Sequence, residues 1–248
     1  RFNYYLILEN IMALPKLNTT PTYDVIVPST KKHITFRPYL VKEEKVLMIA
    51  FESGDQKQVT RAIGNTLNAC INTDIDVFDL TTFDIEFLFT KIRSKSVGER
   101  SDIILTCDSE ECSHKNEVSV NIDELTLEMG DAADQVIQLN DELTVEMGYP
   151  KFGNVLDVKT TGESIEDGIG MVASSINAIC SLDERYSRDD VTQEEMVEFI
   201  MELTTQQFNK LSAFLATIPK LEKDLDFKCE SCGKDNTYTL SGMRDFLA

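Results

Sequence analysis

Cys107-Asp108-Ser109-Glu110-Glu111-Cys112 and Cys229-Glu230-Ser231-Cys232-Gly233 are the two stretches on which the reading of this chain turns. Each lies between segments of strand character; for the first these are Asp102 to Cys107 and Glu117 to Ile122. Cys-x-x-Cys-Gly is a knuckle: one tight turn aims two thiolates inward, and glycine supplies the backbone freedom beside them. One knuckle provides two ligands and tetrahedral zinc needs four. Cys107 and Cys112 are therefore expected to join Cys229 and Cys232 in a split four-cysteine zinc ribbon, interrupted by an insertion from Ser113 to Lys228. The first pair is separated by four residues instead of two, and His114 is close enough in sequence to stand in for Cys112. Iron held by four thiolates is the alternative metal chemistry. A closed four-thiolate shell leaves no open coordination position, so its role would be structural. A redox Cys-x-x-Cys would call for a thioredoxin-like βαβ frame, which the flanking sequence lacks. Cys70 and Cys180 fall on apolar helical faces and read as small core residues.

Outward from the knuckles, Tyr23 to Val27 and His33 to Arg37 read as a hairpin around a Pro-Ser-Thr-Lys-Lys turn. A helix begins at Val41, with Val46, Leu47, Ile49, Ala50 and Phe51 as its apolar face and Gly54 as its stop. Gln56 to Cys70 and Thr82 to Lys95 repeat apolar residues every three or four positions and are also expected to be helical. Val136 to Leu139 and Leu143 to Met147 alternate like strands. Ile165 to Cys180 reads as a helix, followed by two more that open on Thr192-Gln193-Glu194-Glu195 and Thr204-Thr205-Gln206-Gln207. Pro219 closes the last of them, and a short terminal helix is expected from Ser241. Asp123 to Gly130 and Asp141 to Gly148 nearly repeat one another, but two copies do not make a solenoid. The order of elements is α+β: helical blocks around a small, mostly antiparallel sheet.

Five segments follow: 1–11, 12–100, 101–160, 161–220 and 221–248. Met12-Ala13-Leu14-Pro15 has the look of a natural start, and Leu8-Glu9-Asn10 can be encoded by a purine run resembling a ribosome-binding site. Residues 1–11 are accordingly expected to be a non-native upstream extension.

Acidic residues number 43 against 24 basic ones, a formal charge of −19, and no run of lysine and arginine builds a basic patch. Phosphate backbones repel such a chain, so nucleic-acid binding by a zinc ribbon is the disfavoured alternative. No apolar run reaches the ~20 residues of a membrane helix, and six cysteines in 248 residues do not form a secreted disulfide scaffold. Both histidines lack a catalytic partner in sequence, and no nucleophile elbow, phosphate loop or His-Glu-x-x-His occurs. Gly162 to Gly170 lacks the spacing of a dinucleotide site, and pairs such as Asp189-Asp190 and Glu194-Glu195 suit helix caps. The expectation is a protein that is not an enzyme and has no small-molecule substrate.

Several segments together resemble the baseplate hub proteins of T-even-type bacteriophages. They are Met12 to Asn18, Arg37-Pro38-Tyr39-Leu40-Val41-Lys42-Glu43-Glu44-Lys45, Phe83 to Phe89, and Arg93 to Glu99. The run from Phe199 through Phe208 to Pro219-Lys220-Leu221, then the second knuckle and Leu240 to Phe246, follows in the same order. The resemblance implies a hub subunit, or a hub assembly chaperone absent from the mature virion. Its partners would be other phage baseplate proteins, and its place the virion tail, with the host cytoplasm during assembly. It also carries the family's knuckles onto Cys107, Cys112, Cys229 and Cys232. Arg37, Pro38 and Tyr39 are candidate partner contacts in an expected exposed turn.

Overall fold

The computed structural model describes residues 20–127, 129, 134–156 and 165–241. The expected extension 1–11, Gly162 and the expected helix after Ser241 lie outside these residues.

Strands β1 (Tyr23–Ile26) and β2 (His33–Phe36) form an antiparallel hairpin that covers α1 (Val41–Ser53), α2 (Gln56–Cys70) and α3 (Thr82–Ser96). Asp55 starts α2 by accepting the N–H groups of Lys57 and Gln58, and Gly54 ends α1 at a φ of 68° that favours glycine. Ile34, Phe36, Ile63, Leu67, Cys70, Ile85, Leu88, Phe89 and Ile92 fill the first core. The face expected of α1 is corrected. Only Leu47 and Ala50 of it are buried, because α1 packs through a narrow stripe at Glu43, Leu47 and Ala50, leaving Val46 and Ile49 outside. The Arg37-Pro38-Tyr39 turn is likewise not an open surface. Arg37 donates to Glu43 at 3.0 Å and to the Pro38 carbonyl at 2.8 Å, and the Tyr39 N–H donates to Ser96 Oγ at 3.0 Å.

The second block is a four-stranded antiparallel sheet in the order β5 (Asp134–Gln138), β6 (Thr144–Gly148), β7 (Ile176–Cys180), β8 (Arg185–Ser187). Packed with it are α5 (Ile165–Ser174), α6 (Gln193–Met201) and α7 (Thr205–Leu215), while α4 (Phe152–Val155) packs Phe152 and Val155 into the first core. Here the expected helix Ile165 to Cys180 is overturned in its last third. Ser174 and Ser175 turn their hydroxyls back onto the carbonyls of Gly170 and Met171, both at 2.9 Å, and α5 ends there. Ile176, Ala178 and Ile179 then enter the sheet, where β-branched side chains pack well. Cys180 is therefore not a core residue on a helix; it is half-buried on β7, its thiol 3.5 Å from Glu146 Oε1. The two expected capping boxes are present, Thr192 with Glu195 and Thr204 with Gln207.

The described parts of the two near-repeated segments adopt different structures. Ile122 to Glu124 form a 3-10 turn that buries Leu125, whereas Asp141 and Glu142 lie in the turn before β6, which is paired on both sides. Tertiary surroundings, not local propensity, decide between them.

Helix α3 links the parts of the described structure. Its Phe83 ring meets Tyr149 edge-on at 5.0 Å, and Tyr149 leads on to Phe214 in the second core. At its start, the fully buried Asp84 accepts from the Ser29 N–H and hydroxyl and from the Thr81 N–H and hydroxyl, so one carboxylate ties the first hairpin to the helix cap. Asp84→Ala orphans these donors. Urea unfolding is expected to show a loss of about 3 kcal/mol, with part of it restored in Asp84→Asn, which keeps an acceptor.

Candidate metal centre

Alternation places one face of each remaining hairpin inward. Strands β3 (Arg100–Thr106) and β4 (Lys115–Asn121) pair antiparallel, as do β9 (Glu222–Lys228) and β10 (Asp235–Ser241). Ile103, Leu105 and Val120 of the first hairpin share a small core with Leu225 and Leu240 of the second, sealed by Ile122, Leu125 and Leu221. The two cysteine turns thereby meet at one end.

The four sulfurs of Cys107, Cys112, Cys229 and Cys232 all lie within 4.8 Å of one another and could hold a metal ion. Two contacts cross between hairpins, Cys107 to Cys232 and Cys112 to Cys229, each 3.7 Å. All four are free thiols, at separations well beyond the ~2.05 Å of a disulfide. A tetrahedron with bonds of ~2.3 Å has edges of about 3.8 Å, so the sulfur spacing fits one tetrahedral ion of zinc size. Cys107 and Cys229 are buried, Cys112 is half-buried and Cys232 is exposed, which leaves one side of the site open to solvent. His114 contributes its main-chain carbonyl, which accepts the Cys107 N–H at 2.8 Å; its ring is not among the grouped ligand atoms.

The wider spacing of the first pair is absorbed locally. Ser113 N–H bonds to the Ser109 carbonyl and Gly233 N–H to the Cys229 carbonyl, so both turns end in the same five-residue loop and the first carries two extra residues ahead of it. Both loops end on a left-handed residue, Ser113 at φ 47° and Gly233 at φ 72°. In the second knuckle the N–H groups of Cys232 and Ser231 point at the Cys229 sulfur and pull its pKa down to about 6. For Cys232 the Lys234 N–H lowers the pKa. Desolvation and the hydrogen bonds shared with Cys112, Cys229 and Cys107 outweigh it and push the thiol up to about 12. The second knuckle thus favours a thiolate at Cys229 and opposes one at Cys232.

Two residues that the sequence reading passed over complete the site. Asn116 and Asn236, both buried, bond across the hairpins. Asn116 Oδ1 accepts the Glu230 N–H at 2.9 Å, and Asn236 Oδ1 accepts the Asp108 N–H at 3.0 Å. Their signal in sequence is a shared offset, each asparagine standing four places after the second cysteine of its own turn. The surface pair Lys234–Asp108, at 2.8 Å, spans the turns as well.

The ribbon docks on α3 through polar groups. Lys91 donates to the Asp123 carbonyl, and Asp123 accepts from Ser94 at 2.8 Å and from Lys95 at 3.0 Å. On the other hairpin's side, burial pushes the Glu86 carboxyl up to about 7, against the opposing effects of the Leu221 N–H and the Lys220 charge. A carboxyl raised from 4.5 to about 7 makes the folded protein hold more protons than the unfolded one in that window, so stability falls as pH rises through it. Glu86→Gln is expected to flatten this fall and to be more stable than wild type at pH 8 but not at pH 4, as read by urea unfolding at both.

Of the two histidines, His33 is exposed on β2 and His114 sits beside the first knuckle. No described helix is long and apolar enough to cross a membrane. In comparisons with known proteins, no curated protein and no solved structure matches the chain. One family does match, described as T4 bacteriophage base plate protein, and it covers residues 20–248, which include both hairpins and all three cores. The chain belongs to the T4 bacteriophage base plate protein family.

Proposed function

We propose that this protein is a structural or assembly component of the baseplate hub of a contractile phage tail, acting by binding other baseplate proteins. The family match across residues 20–248 carries the reading, and membership places the protein's role in the phage tail baseplate. The resemblance of Arg37 to Lys45 and of Phe83 to Phe89 to hub proteins supports the hub within it. It acts without catalysis and without a small-molecule substrate or nucleic acid. The −19 charge supports the last of these.

The cysteines Cys107, Cys112, Cys229 and Cys232 hold a structural zinc in this reading. The 3.7 Å sulfur spacing supports a single ion. A cluster of several irons would set its thiolates further apart. A closed shell of four thiolates supplies cross-linking and no chemistry. Its effect is to join the middle of the chain to its C-terminal part.

Quantitative mass spectrometry of purified mature tails tests the function. A fixed copy number per tail establishes a subunit. Presence in assembly intermediates alone establishes a chaperone, and absence from both overturns the proposal. For the metal, one zinc per chain is expected, with Cys229→Ser abolishing stoichiometric zinc and lowering Tm by roughly 10 °C. A variant that keeps one zinc and melts like wild type refutes the site.

A further inference from the structure

The two knuckles obey one rule that neither hairpin needs by itself. In the first, the Cys107 N–H donates to the His114 carbonyl, which also accepts from Asn116 Nδ2 at 3.2 Å. In the second, the Cys229 N–H donates to the Lys234 carbonyl, which also accepts from Asn236 Nδ2 at 2.8 Å. Each asparagine therefore braces the closing bond of its own turn. Its oxygen does something different: it takes the amide that follows the first cysteine of the opposite turn, Glu230 for Asn116 and Asp108 for Asn236. Cys107 and Cys229, the two buried ligands, are thus held on both main-chain sides, once from each hairpin.

We propose that Asn116 and Asn236 are positioning residues for the four-sulfur site, a crossed clamp that sets the knuckles face to face before metal arrives. This rests on the zinc reading above. A buried amide side chain is costly unless its groups are bonded, and here the bonds run between hairpins where apolar packing alone would permit sliding. Groups that orient metal ligands without touching the metal typically change affinity 10–100-fold when removed. The clamp has the further property of being metal-independent, since every bond in it is between neutral main-chain and side-chain groups.

The test uses the full chain, with Asn116→Ala and Asn236→Ala made separately. Zinc affinity is measured by chelator competition, and amide hydrogen exchange is read by NMR in the zinc-free proteins. The expected result is a loss of affinity of roughly 10–100-fold in each variant, with a crossed exchange pattern. Asn116→Ala deprotects the amide of Glu230, and Asn236→Ala that of Asp108, while the ladder amides of Val118 and Tyr238 stay protected. Unchanged zinc affinity in both variants overturns the proposal. So does an unprotected Asp108 or Glu230 amide in the zinc-free wild type. Loss of protection along all four strands makes the asparagines ordinary fold residues and overturns it too. A wild type that takes up no zinc defeats the metal reading and the clamp's role with it. Zinc uptake by the wild type with unchanged affinity in both variants defeats the clamp alone, which keeps the two failures distinct.

Discussion

Two hairpins far apart in sequence have to meet face to face, and most of the fold exists to make that meeting cheap. Cys107 and Cys232 are 125 positions apart. Closing a flexible loop of that size costs about 4 kcal/mol in chain entropy, comparable to what burying two or three apolar side chains of the small core supplies. Much of the intervening chain is folded in its own right, however. Its four-stranded sheet and helices fold on a core of their own, and the ends of that block, Ile122 and Leu221, are both buried in the ribbon's small core. Once the block is folded, the second hairpin starts beside the first.

Helix α3 does the rest of the alignment, by presenting a different chemistry on each side. Ile85, Leu88, Phe89 and Ile92 belong to the first core, Phe83 reaches the second through Tyr149, and Phe87 flanks the third. Lys91, Ser94 and Lys95 add directional bonds to Asp123, which fix the angle of the first hairpin in a way that apolar contact alone does not. Apolar packing supplies most of the adhesion and the polar bonds supply the register.

Where local chemistry decides, the sequence was sufficient. Helix α2 runs from Gln56 to Cys70 because Asp55 caps one end and the apolar period is unbroken, and both threonine boxes can be read four letters at a time. Where the partner decides, it was not. Strand β7 continues the apolar run of α5, and only the back-bonding of Ser174 and Ser175 separates the two. The apolar residues of α1 look like a full core face, yet only one stripe of them has anything to pack against. At the cysteine site the four sulfurs were legible from composition and spacing, and the structure brings them within 4.8 Å. Asn116 and Asn236 left only their shared offset from the cysteines, because a hydrogen bond that crosses between hairpins leaves no periodicity on either strand.

The arrangement of the hairpins also has a mechanical meaning. Tension applied between the first strand of the ribbon and its last need not pass through the folded block that separates them in sequence. It crosses directly, from one hairpin to the other, through their shared core, the two asparagines and the grouped sulfurs. The block from β5 to α7 hangs beside this load path as a side branch, shielded until the hairpins part. A pull between these two strands therefore loads the contact between the hairpins before it loads the middle of the chain.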